Sequence, residues 1–123
     1  MSSSESPATP VFLDTALALS QIGDVESMNS LLVLLRESLE RDIPLVSELL
    51  QGGDVAGANR VLHGLKGFIP IFCQPPLCDH VIRVEALSKD SLSKTAGPAF
   101  SALKPELETL LAEVCAYRPA SPS

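Results

Sequence analysis

One stretch of this chain combines residue types that could do chemistry, Asn59 to Gln74, NRVLHGLKGFIPIFCQ. On a helix advancing about 100° per residue, Ala58, Leu62, Leu65, Ile69 and Phe72 fall on a single stripe that must face a core. His63 then lies roughly 140° from the centre of that stripe by the same geometry. Asn59, Arg60, Lys66, Gly67 and Pro70 share its outer face. A neutral imidazole presented to solvent is a competent nucleophile and can form a covalent intermediate. Lys66, one turn on, is a point charge able to neutralise phosphoryl oxygens. As an exposed charge it should matter little for stability. Glycine inside a helix costs up to about 1 kcal/mol relative to alanine. The closeness of Gly64 and Gly67 therefore asks for a reason, and a gap over the ring through which a partner approaches is one. From Val55 to Cys78 the chain carries Arg60 and Lys66 but no Asp or Glu, so a dianionic adduct on His63 meets no carboxylate within that stretch.

Other chemistries find less to work with. No G-x-S-x-G elbow or catalytic-cysteine signature supports a nucleophilic hydrolase. No Gly-rich phosphate loop or carboxylate cluster for Mg²⁺ is legible. Cys73, Cys78 and His80 have a Cys-x₄-Cys-x-His spacing. That supplies at most three metal ligands and is interrupted by Pro75-Pro76, so core or surface roles are expected for all three.

His63-Gly64-Leu65-Lys66-Gly67 resembles the His-x-Leu-Lys-Gly signature of histidine phosphotransfer (HPt) domains. The leucine-rich segment Met28 to Leu50 is similar to that family's long helix, Gly53-Asp54 to its turn before the histidine helix, and Leu77, Val81, Val84 and Glu85 to its pattern after it. The resemblance covers roughly Leu13 to Lys89, and the last helix fits in length. Cys73 stands where the family often has glycine, and Phe68 and Pro70 stand where small or helix-compatible residues are usual. The resemblance implies an antiparallel four-helix bundle with a short extra N-terminal helix. In it, His63 takes a phosphoryl group from a receiver-domain aspartate and passes it to the aspartate of a response regulator. Lys66 would neutralise phosphate, and Asn59, Arg60, Gly64, Gly67 and Pro70 would form the receiver-docking surface. It implies a phosphocarrier rather than an enzyme, with no cofactor or metal of its own. Its partners would be the receiver domains of a hybrid histidine kinase and of a response regulator. The competing reading is a helical adaptor, a degenerate form of the same fold that binds a partner without chemistry.

The elements that must position these residues read as all-α. Leu31, Leu32, Leu35, Leu39, Ile43, Val46, Leu49 and Leu50 recur by threes and fours with charges between them, and Gly52-Gly53-Asp54 stops that helix and can cap the next. Pro44 lies within it and can bend it. A shorter helix over about 13–21 precedes it, with Asp14 near its start. Further helices are expected over about 55–72, 76–89 and 98–117, with a kink at Pro105. Pro70 cannot donate to the carbonyl of Lys66, so the histidine helix should kink or end a turn early. No strand alternation or Asn-Gly hairpin competes.

The 123 residues suit one domain, read here as 11–117, between Ser- and Pro-rich linkers at 1–10 and 118–123. With 46% apolar residues the chain should fold, and with four Phe, one Tyr and no Trp its core must be aliphatic. Fifteen acidic against nine basic residues give a net charge of −6, which argues against a nucleic-acid partner. An odd count of three cysteines argues against a disulfide framework and for a cytoplasmic setting. No apolar run approaches the roughly 20 residues that span a bilayer, so no direct membrane contact is expected and any anchor to a membrane-bound sensor kinase would lie elsewhere. A monomer is expected.

Overall fold

In the computed structural model, which describes residues 10–117, the chain is all-helical. Five α-helices pack together: α1 (Thr15–Ile22), α2 (Val25–Gln51), α3 (Val55–Phe68), α4 (Pro75–Leu87) and α5 (Ala96–Ala116). The linkers expected at the two ends fall, apart from Pro10, outside the described residues.

Local chemistry sets the boundaries. Asp14, Asp24 and Asp54 each stand at an N-cap and accept the backbone N–H three residues on, from Leu17, Ser27 and Gly57. Such a cap satisfies one of the donors every helix start leaves over and is worth about 1 kcal/mol. Gly23 and Gly53 close the helices before α2 and α3 with φ of 106° and 82°, a left-handed conformation that glycine adopts without a Cβ penalty. Pro44 and Pro105 are accommodated inside continuous helices. Pro70 is not. The α-helical ladder of α3 stops at Phe68, and Ile69–Ile71 continue as one 3₁₀ turn. The α-helix expected to reach residue 72 thus gives way a turn early, because Pro70 has no N–H to offer the Lys66 carbonyl.

The core is aliphatic, as the composition requires. α2 packs against α3 and α5, and α4 against the other side of both, while α1 covers α2 and the 3₁₀ turn. Leu35, Leu39 and Val46 of α2, Ala58 and Leu62 of α3, and Leu103, Leu107 and Leu110 of α5 are fully buried. Burying each leucine contributes about 1.5–3 kcal/mol relative to exposure. All five members of the predicted stripe, Ala58, Leu62, Leu65, Ile69 and Phe72, are inside. That burial fixes the rotation of α3 and turns His63 outward.

A clamp not visible in the sequence holds the entry to α1. The Glu113 carboxylate on α5 accepts the backbone N–H groups of Val11 (2.6 Å), Phe12 (3.0 Å) and Leu13 (2.9 Å). Leu13 also bridges to Cys73, and the Asp14 N–H donates to the Phe72 carbonyl at 2.7 Å. The segment is thereby sewn to the bend after the histidine helix. Glu113→Ala is expected to cost about 1–3 kcal/mol, since three donors lose a charged acceptor. Chemical denaturation measures the loss, and faster amide exchange at residues 11–13 locates it.

Candidate functional site

His63 sits in the middle of α3 with its side chain 69% exposed. Arg60, Gly64 and Gly67 are exposed around it, Pro70 is half-buried at the 3₁₀ turn, and an added Cβ at either glycine would meet no atom within 4 Å. The surface over the imidazole is therefore open on the side of both glycines. All seven residues singled out from the sequence thus lie on one helix or the turn that ends it.

Asn59 and Lys66 are placed differently from the expectation of a solvated face. Both turn toward α4, where Glu85 lies beneath the histidine with its side chain only 2% exposed. Lys66 Nζ stands 3.2 Å from Glu85 Oε1, and His63 Nδ1 stands 3.5 Å from Glu85 Oε2. The Lys89 ammonium approaches Oε1 at 3.9 Å. The Asn59 amide donates to Glu85 Oε2 (3.2 Å), to the Glu85 carbonyl (3.1 Å) and to Ser88 Oγ (3.0 Å), and the Ser88 hydroxyl donates to the same carbonyl at 2.7 Å. Asn59 is thus a strut between α3 and α4, with its amide occupied, rather than a free docking residue.

This cluster explains how a carboxylate survives in the core. Burial by itself pushes the Glu85 carboxyl up, but the hydrogen bonds from Lys66 and Asn59 and the charges of Lys66 and Lys89 outweigh it and hold the group below the usual glutamate value. Glu85 is ionised at neutral pH. The absence of acidic residues between Val55 and Cys78 does not describe the site in space, because α4 brings a carboxylate to the histidine from 22 positions further along the chain. Only its burial was legible: Glu85 lies on the same face of α4 as Leu77, Val81 and Val84, and all four are buried. A glutamate on an apolar stripe needs a cation, and Lys66 is within reach of that helix.

The cysteines and His80 take other roles. Cys73 and Cys78 are buried, and the Cys78 thiol donates to the Cys73 carbonyl at 3.4 Å. Burial, with smaller contributions from Cys78, Glu113 and Asp14, pushes the Cys73 thiol up to about 12, so it is no thiolate nucleophile at neutral pH. His80 Nδ1 lies 2.8 Å from Glu106 Oε1 and links α4 to α5, its side chain 19% exposed. Among the described residues no three His, Cys, Asp or Glu side chains come together in a way that could hold a metal ion. Nor, among those residues, is any helix long and apolar enough to cross a membrane.

Compared with protein-family models, curated proteins and solved structures, the chain finds no match in any of the three. The site is therefore read from its own chemistry: one exposed imidazole, backed by a buried, ionised carboxylate and an ammonium on the same helix, under a surface kept clear by two glycines.

Proposed function

We propose that this chain is a histidine phosphotransfer module: His63 accepts a phosphoryl group from the aspartate of one receiver domain and passes it to the aspartate of another. In this reading α2 to α5 form the antiparallel four-helix bundle that such modules use, with α1 as the extra N-terminal helix. An imidazole nitrogen attacks the phosphorus of the acyl phosphate, the P–O bond to the aspartate breaks, and the carboxylate leaves. The reverse sequence loads the second receiver. The receiver brings the metal and the acid chemistry, so this chain needs only to present the nucleophile. The observation that carries the reading is the exposure of His63, 69%, in the middle of a helix whose adjacent residues on the open side are glycines. The resemblance of His63-Gly64-Leu65-Lys66-Gly67 to the family signature points to the same chemistry. Incubation with a receiver carrying labelled aspartyl phosphate tests it. Label should move to His63, and a chain that binds the receiver without acquiring label is an adaptor instead.

Lys66 has two duties in this account. Its ammonium is held by Glu85 in the resting chain, and its flexible stem lets it turn to the phosphoryl oxygens once they arrive. Its loss is therefore not neutral for stability, contrary to what an exposed charge would give. Lys66→Ala removes a charged hydrogen bond from a carboxylate that is 2% exposed, and is expected to cost about 1–3 kcal/mol. It should also slow transfer from a saturating receiver. Unchanged denaturation together with unchanged transfer kinetics would leave Lys66 as a bystander.

A further inference from the structure

The residues just before α1 tie together parts of the fold that are distant in sequence. Pro10 and Val11 are exposed, Val11 by 72%, whereas Phe12 packs against the core and Leu13 is buried. This short strap runs between the C-terminal part of α5 and the bend that follows the 3₁₀ turn. On the α5 side its hold is the Glu113 carboxylate, which accepts the N–H groups of Val11, Phe12 and Leu13. On the other side Leu13 pairs with Cys73, the Asp14 N–H donates to the Phe72 carbonyl, and the Gln74 amide donates to the Asp14 carboxylate. Among the described residues no Lys, Arg or His lies within ion-pair distance of Glu113. One side chain therefore holds three residues of the strap.

Bonds concentrated on one residue break together. Release at Glu113 gives up three hydrogen bonds and the cover over Leu13. Both sides of those bonds regain water readily, since Glu113 is only half-buried and Val11 is exposed. The packing of α2, α3, α4 and α5 on one another stays in place. Openings of this kind lie well below global unfolding in free energy. The first group they uncover is Cys73, 2% exposed and paired directly with Leu13. Glu113 and Asp14 both help to push that thiol up, which places clamp, strap and cysteine together. Asp14 is the hinge, because its carboxylate caps α1 at Leu17 and stays with that helix.

We propose that residues 11–13 are a displaceable strap, clamped by Glu113 and hinged at Asp14, whose release uncovers Cys73 and slackens the bend after the histidine helix while the helices stay folded. The part of this inference that reaches His63 rests on its being the phosphoryl carrier. The 3₁₀ turn carries Pro70 and begins two residues after Gly67. A slack bend thus blurs the edge of a surface that a receiver must meet to within about 1 Å. The imidazole itself remains in mid-helix, and a small donor meets it as before. Transfer between proteins, and not the reactivity of the histidine, then answers to the position of the chain entering at Pro10.

The test applies a thiol-alkylating reagent to the whole chain under native conditions, with the modified cysteines assigned by mass spectrometry. Cys115 is exposed and reports the reagent itself. In wild type the labelling of Cys73 should depend only weakly on low urea, because a local opening exposes little surface. Amide exchange at Leu39 and Leu107 in the core should rise steeply over the same range. Glu113→Gln keeps the size of the side chain but not its charge, and without urea should speed Cys73 labelling about tenfold. Exchange of phosphate between this variant and a receiver should fall several-fold, with loading of His63 by phosphoramidate unchanged. Cys73 labelling that follows the core amides through urea would mean that the thiol is reached only by unfolding, and overturns the strap. Equal labelling rates in wild type and Glu113→Gln overturn the clamp. Faster labelling with unchanged receiver exchange overturns the link to His63. A loaded wild-type chain that exchanges with no receiver overturns the phosphorelay reading and leaves the strap standing.

Discussion

His63→Gln is expected to fold like the wild-type chain and to take up no phosphoryl group from a labelled receiver or from phosphoramidate. Glutamine keeps polarity and approximate size but has no nucleophilic nitrogen. With its side chain 69% exposed, His63 contributes little to packing, and an exposed substitution of this kind stays within about 0.5 kcal/mol. Glu85 loses one contact and keeps Lys66, Lys89 and Asn59, so no unpaired carboxylate is left in the core. The effect on labelling is all or none, from stoichiometric to background. In wild type the adduct should be labile in acid and stable in base, as a phosphoramidate is. The informative control is His80, the other histidine. It is 19% exposed and engaged with Glu106 at 2.8 Å, so label that persists in His63→Gln and maps to His80 would overturn the site.

How much of this was readable beforehand depends on the range of the interactions involved. The outward direction of His63 was legible because it follows from a local period: five apolar residues on one stripe leave only one face for the imidazole, and all five are buried. The helix starts at Asp14, Asp24 and Asp54 and the early end of α3 at Pro70 are also local, set by a cap or by a missing N–H. The Glu85 cluster was not, because it joins Asn59, His63 and Lys66 to residues 85–89 across a helix–helix interface. Periodicity tells which face of α4 is buried but not which face of α3 it meets. The Glu113 clamp spans some 100 positions and uses backbone donors, which carry no sequence signature at all. For the same reason Lys66 was legible as a cation near the histidine but not as the partner of a buried anion.

Gly67→Leu is expected to separate docking from chemistry. Gly67 is the next-to-last residue of α3, one turn beyond His63, and a Cβ built there meets nothing within 4 Å. A leucine side chain would therefore project into open space rather than into the core, and glycine's removal from a helix favours the fold by up to about 1 kcal/mol. The variant should be as stable as wild type or slightly more so. Its His63 should react with phosphoramidate at the wild-type rate, since a small donor passes beside the new side chain. A receiver cannot. In-line transfer brings the reacting atoms to about 3–3.5 Å, and a displacement of about 1 Å costs on the order of 100-fold. A branched side chain standing between two protein surfaces imposes at least that displacement, so exchange with the receiver should fall by about 100-fold or more. Gly67→Ala, with only a Cβ, should lie between the two. The graded loss at one position, with the small-donor rate constant across all three chains, is what steric exclusion predicts and altered histidine reactivity does not. Exchange at the wild-type rate in Gly67→Leu would place the partner on a different face, with the glycines retained for some reason other than access.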